Sequence, residues 1–206
     1  MALIKKISGN FLEDFEIGRV FRHKGGKTVT EGLFNAFTDF SMTTNPLSKN
    51  IEYARLHGYE GLLCSPGLVM NVVFSQTVTD ISENARANLE YIDMRYGVPL
   101  YIGDTVESET TVVGVTLSSK HNDRGVAHVA TVGRKQDGSV VMVFERKVQV
   151  WKADAGSKIE TGRLDSVPRP DCEPWIPAYD SGRDYRSKAY LTDADTYFED
   201  FSAGDT

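Results

Sequence analysis

The sequence predicts an α+β protein in which an antiparallel sheet wraps around one long central helix. Three observations lead there. In Ser65–Asp80 the apolar residues Leu68, Val69, Met70, Val72, Val73, Phe74 and Val78 fall on almost every side of a helical wheel, leaving Asn71, Ser75 and Gln76 as a narrow polar seam. A helix that is apolar nearly all round has to be buried. After Asn84 the period changes to alternation and four strand-like runs follow. Little before residue 65 could cover the helix, so the sheet must do it.

The elements follow in order. Phe11–Val20 mixes apolar and acidic residues around Gly18 and reads as a turn into a first strand. Thr28-Val-Thr30 is a short β-branched run. Thr30 can cap a helix over Glu31–Phe40, with Leu33, Phe34, Phe37 and Phe40 near helical spacing. Asn45-Pro46 breaks it, because the residue before proline is pushed out of the right-handed helical region. Ile51–His57 makes another short helix, ended by Gly58. Ser65 can cap the central helix, and Pro66 fits its first turn, where no N–H is needed. Val72 and Val73 are weak helix formers, so a short buried strand competes there; the length and the start signal favour helix.

Among the strands, Asn88, Glu90, Ile92, Met94 and Tyr96 alternate with Leu89, Tyr91, Asp93 and Arg95. Val106–Thr116 is rich in Val and Thr. Val126–Val132 alternates, and Val140–Trp151 is the longest run. Asp137-Gly138 is a strong hairpin signal between the last two, and Asn122–Gly125 turns the preceding pair.

At 206 residues, with 40% hydrophobic and 25% charged residues, the chain has an ordinary globular composition. No run approaches the ~20 apolar residues of a membrane span, and the N-terminus has no signal-peptide core. A net charge of −6 argues against a general nucleic-acid surface. Cys64 and Cys172 have no metal or redox spacing, so no metal site is expected. Cys64, at the edge of an apolar run, reads as a buried reduced thiol, which points to the cytoplasm.

Composition divides the chain. Residues 10–152 form the domain. Residues 153–196 hold Pro168, Pro170, Pro174 and Pro177 among charges and read as a linker or strap, pinned by Trp175, Ile176 or Tyr179. Residues 197–206, Tyr-Phe-Glu-Asp-Phe-Ser-Ala-Gly-Asp-Thr, repeat 11–20, Phe-Leu-Glu-Asp-Phe-Glu-Ile-Gly-Arg-Val. A repeat that starts and stops suggests the beginning of a second copy of the domain.

Ser41, Asn45, Pro46, Leu47, Ala54, Gly58, Tyr59 and Gly67, followed by Arg95-x-x-x-Pro99-Leu-x-x-Gly103-Asp104-Thr105, resemble in order and spacing the MaoC-like, hydratase-2 branch of the hot-dog fold. The segment Asn84–Tyr91 is most similar to the mesaconyl-CoA (2-methylfumaryl-CoA) hydratase group, whose chains hold two hot-dog units. The resemblance covers about residues 10–152. It implies a hydratase or dehydratase acting on a short, branched or dicarboxylic enoyl-CoA, with coenzyme A as part of the substrate and no other cofactor. It also implies a second unit as partner, in the same chain or as a homodimer.

The resemblance fails at two positions. Thr43 stands where the family has its catalytic Asp, and Ser48 where it has its catalytic His. Hydration needs a base to polarise water and an acid to protonate the carbon beside the thioester. Hydroxyls have pKa values too high for either task unaided. The N-terminus of the central helix remains: Pro66 has no N–H, so Gly67 and Leu68 would hold the thioester carbonyl. Asn45 and Arg95 are further substrate-binding candidates, with Lys49 and Arg55 for coenzyme A phosphates. His57 and Asp39 are possible substitutes for the dyad; His23, His121 and His128 are better read as solvated or structural. Two other readings stay open: a non-catalytic acyl-CoA binding or assembly module, and a hot-dog thioesterase, for which Asp80 and Glu83 lie only at the far end of the helix.

Overall fold

The computed structural model describes residues 9–192 and 202–204. The expected repeat at 197–206 lies outside them, apart from Ser202–Gly204.

The chain enters through a 3-10 turn, Leu12–Asp14, into two short strands, β1 (Val20–Arg22) and β2 (Lys27–Thr28). Helix α1 (Glu31–Phe40) starts where the Thr30 hydroxyl accepts the Leu33 N–H at 3.2 Å. A loop with a 3-10 turn at Pro46–Ser48 leads to α2 (Ile51–Leu56), then to α3 (Pro66–Gln76), the central helix. Four long strands follow: β3 (Ala85–Tyr96), β4 (Thr105–Leu117), β5 (Arg124–Lys135) and β6 (Val140–Trp151). A short β7 (Gly162–Arg163) comes last. All pairings are antiparallel, in the order β1-β4-β5-β6-β3. The β5–β6 connection turns at Gly138, whose φ of 86° fits the hairpin signal.

The central helix is a helix and not the rival strand, but it stops at Gln76 and not near Asp80. Thr77 ends it, its hydroxyl donating back to the Phe74 carbonyl at 2.8 Å, and the chain continues as one wider π-type turn, Val78–Ser82. Leu68, Val69, Val72 and Val73 are buried against Phe34, Leu100, Val106, Met142 and Phe144. Burying side chains of this size contributes about 1.5–3 kcal/mol each. The helix comes close to β5 because position 133 is glycine: a Cβ there would lie 2.5 Å from a Val73 methyl. A second cluster, of Leu12, Phe15, Phe21, Ile81, Val112 and Val129 among others, fills the sheet beyond the end of the helix.

β5 and β6 are buried almost throughout, on both faces of the sheet. The cause is the segment after residue 152. It joins the β4 edge as β7, then crosses the sheet face opposite α3. There Cys172 is buried against Val132 and Val143, and Arg169 reaches Glu145 at 3.2 Å and Asp93 at 2.5 Å. The Trp175 N–H donates to the Gly97 carbonyl at 3.2 Å, and the chain then turns over α2, where Arg183 bonds the Leu56 carbonyl at 2.8 Å. Trp175 has its ring 5.8 Å from that of Tyr59. Tyr179 stacks only on Tyr185 and is largely exposed.

The two sheet edges differ. The β4 edge is covered along its length by β2, β1 and β7. The β3 edge is open among the described residues and presents Leu89, Tyr91 and Met94 to solvent.

Candidate active site

The loop after α1 carries three of the candidate positions. Met42 adopts φ 51°, which turns the chain back so that the Thr43 N–H reaches the Thr38 carbonyl at 3.0 Å. The Thr43 hydroxyl shares a hydrogen bond with Ser41 at 2.8 Å. Asn45 caps the following turn, its Oδ1 accepting the Leu47 N–H at 3.0 Å. Ser48 is buried, and its hydroxyl donates to the Leu63 carbonyl at 2.7 Å. The Leu63 N–H donates in turn to Leu47 at 2.9 Å. This pair of bonds fastens the loop to the chain just before α3.

At the start of α3 the Ser65 hydroxyl accepts the Leu68 N–H at 3.4 Å. Leu68 is therefore partly used by its own cap. Gly67 is exposed, and among the described residues its N–H has no acceptor. A Cβ at Gly67 would lie 3.4 Å from the Phe37 ring, so α1 packs across the helix start. Thr43, Asn45, Ser48 and Gly67 thus belong to one corner of the fold, built by α1, its loop and the N-terminus of α3. Asp39 is exposed at the end of α1.

A cavity of about 1020 Å3 opens beside this corner. Asn45, Leu47, Tyr53, His57, Tyr59 and Tyr185 are among the residues that line it. His57 donates Nδ1–H to the Tyr53 carbonyl at 2.8 Å, which leaves Nε2 as the acceptor of the neutral ring. Its ring stacks on Tyr53 with centroids 4.1 Å apart and tilts against Tyr185 at 5.1 Å. The sequence suggested His57 by its closeness to the loop. Tyr53, Tyr59 and Tyr185 were not singled out as site residues; no local spacing marks tyrosines that meet only through the strap.

The other candidates lie elsewhere. Arg95 makes a bidentate pair with Asp93, at 2.8 and 3.1 Å, and so sits with Arg169 and the strap. Lys49 and Arg55 are exposed. His121 lies in the β4–β5 turn. His23 and His128, read as solvated or structural, are buried and hydrogen-bonded. His23 bonds Asp80 at 2.7 Å and Thr110 at 2.8 Å, and Thr110 bonds Thr131 at 2.8 Å. His128 bonds Glu145 at 2.8 Å. Burial pushes both imidazoles below their ordinary pKa, against the pull of Asp80 and Glu145. Both are therefore neutral at pH 7. Burial likewise pushes the Cys64 thiol up to about 12, so it is no nucleophile.

Chemically, this corner offers a free N–H at a helix start, an aromatic-walled cavity and the hydroxyls of Thr43 and Ser48. Among the described residues, no group of His, Cys, Asp and Glu is placed to hold a metal ion, and no helix is long and apolar enough to cross a membrane.

The sequence profile described as mesaconyl-CoA hydratase matches residues 4–206. The β-methylmalyl-CoA dehydratase of Chloroflexus aurantiacus is 36% identical over 167 residues, covering 79% of this chain and 47% of that protein. A mesaconyl-CoA hydratase of Cereibacter sphaeroides is 34% identical over 154 residues, covering 75% of this chain and 45% of that protein. Among solved structures, a MaoC-domain dehydratase protein of C. aurantiacus matches with a TM-score of 0.83 at 29% identity, over 96% of this chain and 56% of that one. A Mycobacterium tuberculosis protein with a double hot-dog fold matches with a TM-score of 0.67 at 24% identity, over 84% of this chain and 53% of that one. The chain spans about half the length of the curated relatives it matches. The sheet-wrapped helix is the hot-dog fold, and the chain belongs to the mesaconyl-CoA hydratase family.

Proposed function

We propose that this chain is the acyl-CoA-binding and scaffolding unit of a hydro-lyase acting on a short, branched or dicarboxylic enoyl-CoA such as mesaconyl-CoA. The observation that carries the reading is the pairing of a family-like loop and helix start with hydroxyls at both dyad positions. Gly67 N–H would hold the thioester carbonyl, and the helix dipole would favour the negative charge that develops there. Asn45 borders the cavity and would contact the ligand. Thr43 and Ser48 would supply neither base nor acid, so the catalytic pair would come from a second hot-dog unit. Unless another group replaces the dyad, with His57 and Asp39 the first to consider, the chain alone would hydrate its substrate very slowly. Coenzyme A would be needed only as part of the substrate.

Pairing is the second part of the proposal. The open β3 edge, with Leu89, Tyr91 and Met94 exposed, suits continuation of the sheet into another unit, in a tandem chain or in a twofold homodimer. Such an interface would bury at least ~1,000 Å2. The free, buried cysteines fit a cytoplasmic setting. The second reading, a non-catalytic acyl-CoA module, draws on the same two hydroxyls. The thioesterase reading has less support, because Asp80 lies beyond the end of α3 and is bonded to His23.

Thermal-shift measurements with CoA and CoA thioesters, beside light scattering on the same sample, test this. Stabilisation by thioesters together with a dimer would support the reading. A monomer at micromolar concentration would count against the pairing, and indifference to every CoA ester would count against the binding role.

A further inference from the structure

Tyr59 lines the large cavity and also a second one, of about 170 Å3. Pro66 and Val69 at the start of α3 form part of the second cavity, with Cys64, Tyr96 and Leu100, and the strap residues Pro174 and Trp175 complete it. None of its lining residues is Asp, Glu, Lys, Arg or His. Cys64 stays a neutral thiol there, its pKa pushed up to about 12.

The Trp175 wall is held firmly. Its N–H donates to Gly97, a position where a Cβ would lie 2.2 Å from the Val140 carbonyl oxygen. Its ring meets Tyr59 edge-on at 5.8 Å. Just upstream, Cys172 is buried and Arg169 is paired with both Glu145 and Asp93. The strap therefore cannot lift at Trp175 without breaking several contacts.

We propose that Trp175 sets the length of the uncharged part of the acyl group that enters this cavity. The volume equals that of about five or six waters at ~30 Å3 each. It suits the short uncharged end of an acyl group, straight or branched, and excludes a medium chain. A carboxylate placed in it would be desolvated without a partner, which is strongly unfavourable. On a dicarboxylic acyl group the charged end must therefore lie outside this cavity. The inference rests on the acyl-CoA reading above and adds which part of the acyl group is read, and by which residue.

The test is titration calorimetry of the whole chain with free CoA and with acetyl-, butyryl- and octanoyl-CoA. Butyryl-CoA should bind at least tenfold more tightly than octanoyl-CoA. Trp175→Ala should bring octanoyl-CoA to within about threefold of butyryl-CoA and leave free CoA unchanged. Val69→Phe, which fills the cavity from the helix side, should erase the advantage of butyryl- over acetyl-CoA. Equal wild-type binding of butyryl- and octanoyl-CoA would overturn the inference while leaving acyl-CoA binding intact. So would an unaltered preference in a folded Trp175→Ala variant; if that variant fails to fold, an unaltered preference in Val69→Phe overturns it. Failure of CoA and of every thioester to bind would remove the acyl-CoA reading itself, and this inference with it.

Discussion

The Ser48 hydroxyl donates to the Leu63 carbonyl oxygen at 2.7 Å. The Ser48 side chain ties the loop after α1 to the chain just before the central helix. Ser48→Ala would leave the Leu63 carbonyl without this buried donor, at a cost of about 1–2 kcal/mol. Urea unfolding should show that loss, while affinity for CoA thioesters stays within twofold. A Ser48→Ala variant of wild-type stability would mean that the bond is incidental.

Arg146 is fully buried, and its contacts with Thr77, Asn88 and Phe74 are all with neutral groups. It donates to the Thr77 hydroxyl at 2.9 Å and the Asn88 carbonyl oxygen at 3.4 Å, and lies over the Phe74 ring at 4.6 Å. Burial lowers its pKa to about 10. Its place at the C-terminal end of α3 gives the charge some compensation from the helix dipole. Arg146→Ala should cost about 3 kcal/mol or more through the void it leaves. Arg146→Met, which keeps the volume and needs no counter-charge, should stay within about 1.5 kcal/mol of wild type. Equal losses in the two variants would show that the charge itself holds β3 to the helix.

Stability should fall on mild acidification. The unfolded chain takes up protons on its histidines as pH drops through about 6.5. In the fold, burial depresses the pKa of His23 and of His128, so both bind protons later. Between those values unfolding is coupled to proton uptake, and stability present above pH ~6.5 is lost as pH falls toward the folded pKa values. Melting temperatures from pH 7.5 to 5 should decline, and the combined His23→Gln and His128→Gln variant should flatten the decline. Higher stability at pH 5.5 than at pH 7.5 would contradict this assignment.

Much of the helix and hairpin pattern was legible in the sequence because its determinants are local. Ser65-Pro66 before an apolar run marks the central helix, and Asp137-Gly138 marks the hairpin. The end of that helix was less legible, since it depends on the Thr77 hydroxyl turning back on Phe74. The near-complete burial of β5 was hidden because its cover comes from the strap. For the site, the order Thr43, Asn45, Ser48, Gly67 could be read from the chain, and the fold gathers these residues at one corner. The cavity wall could not be read: Tyr59 meets Trp175, and His57 meets Tyr185, only after the strap has crossed the sheet. His128 gave no sign of its partner, because Glu145 comes from the next strand and is itself held by Arg169 of the strap.

One substitution should loosen the strap around residue 169. Arg169 joins Glu145 and Asp93 across the outer face of the sheet. Arg169→Ala leaves Glu145 bonded to His128 but removes its cation. Limited proteolysis should then cut between residues 164 and 185 several-fold faster than in wild type, with residues 10–152 still resistant. An unchanged cleavage rate would assign the hold to Cys172 and Trp175 instead.

Hydration of mesaconyl-CoA by this chain alone tests the central claim most directly, followed by the change in absorbance of the enoyl thioester while binding is measured on the same sample. The account predicts binding with turnover no greater than the buffer background, because Thr43 and Ser48 offer no group able to take or give a proton at neutral pH. Turnover in the ordinary enzymatic range, ~1–10^3 s−1, would contradict it and place the catalytic groups within these 206 residues.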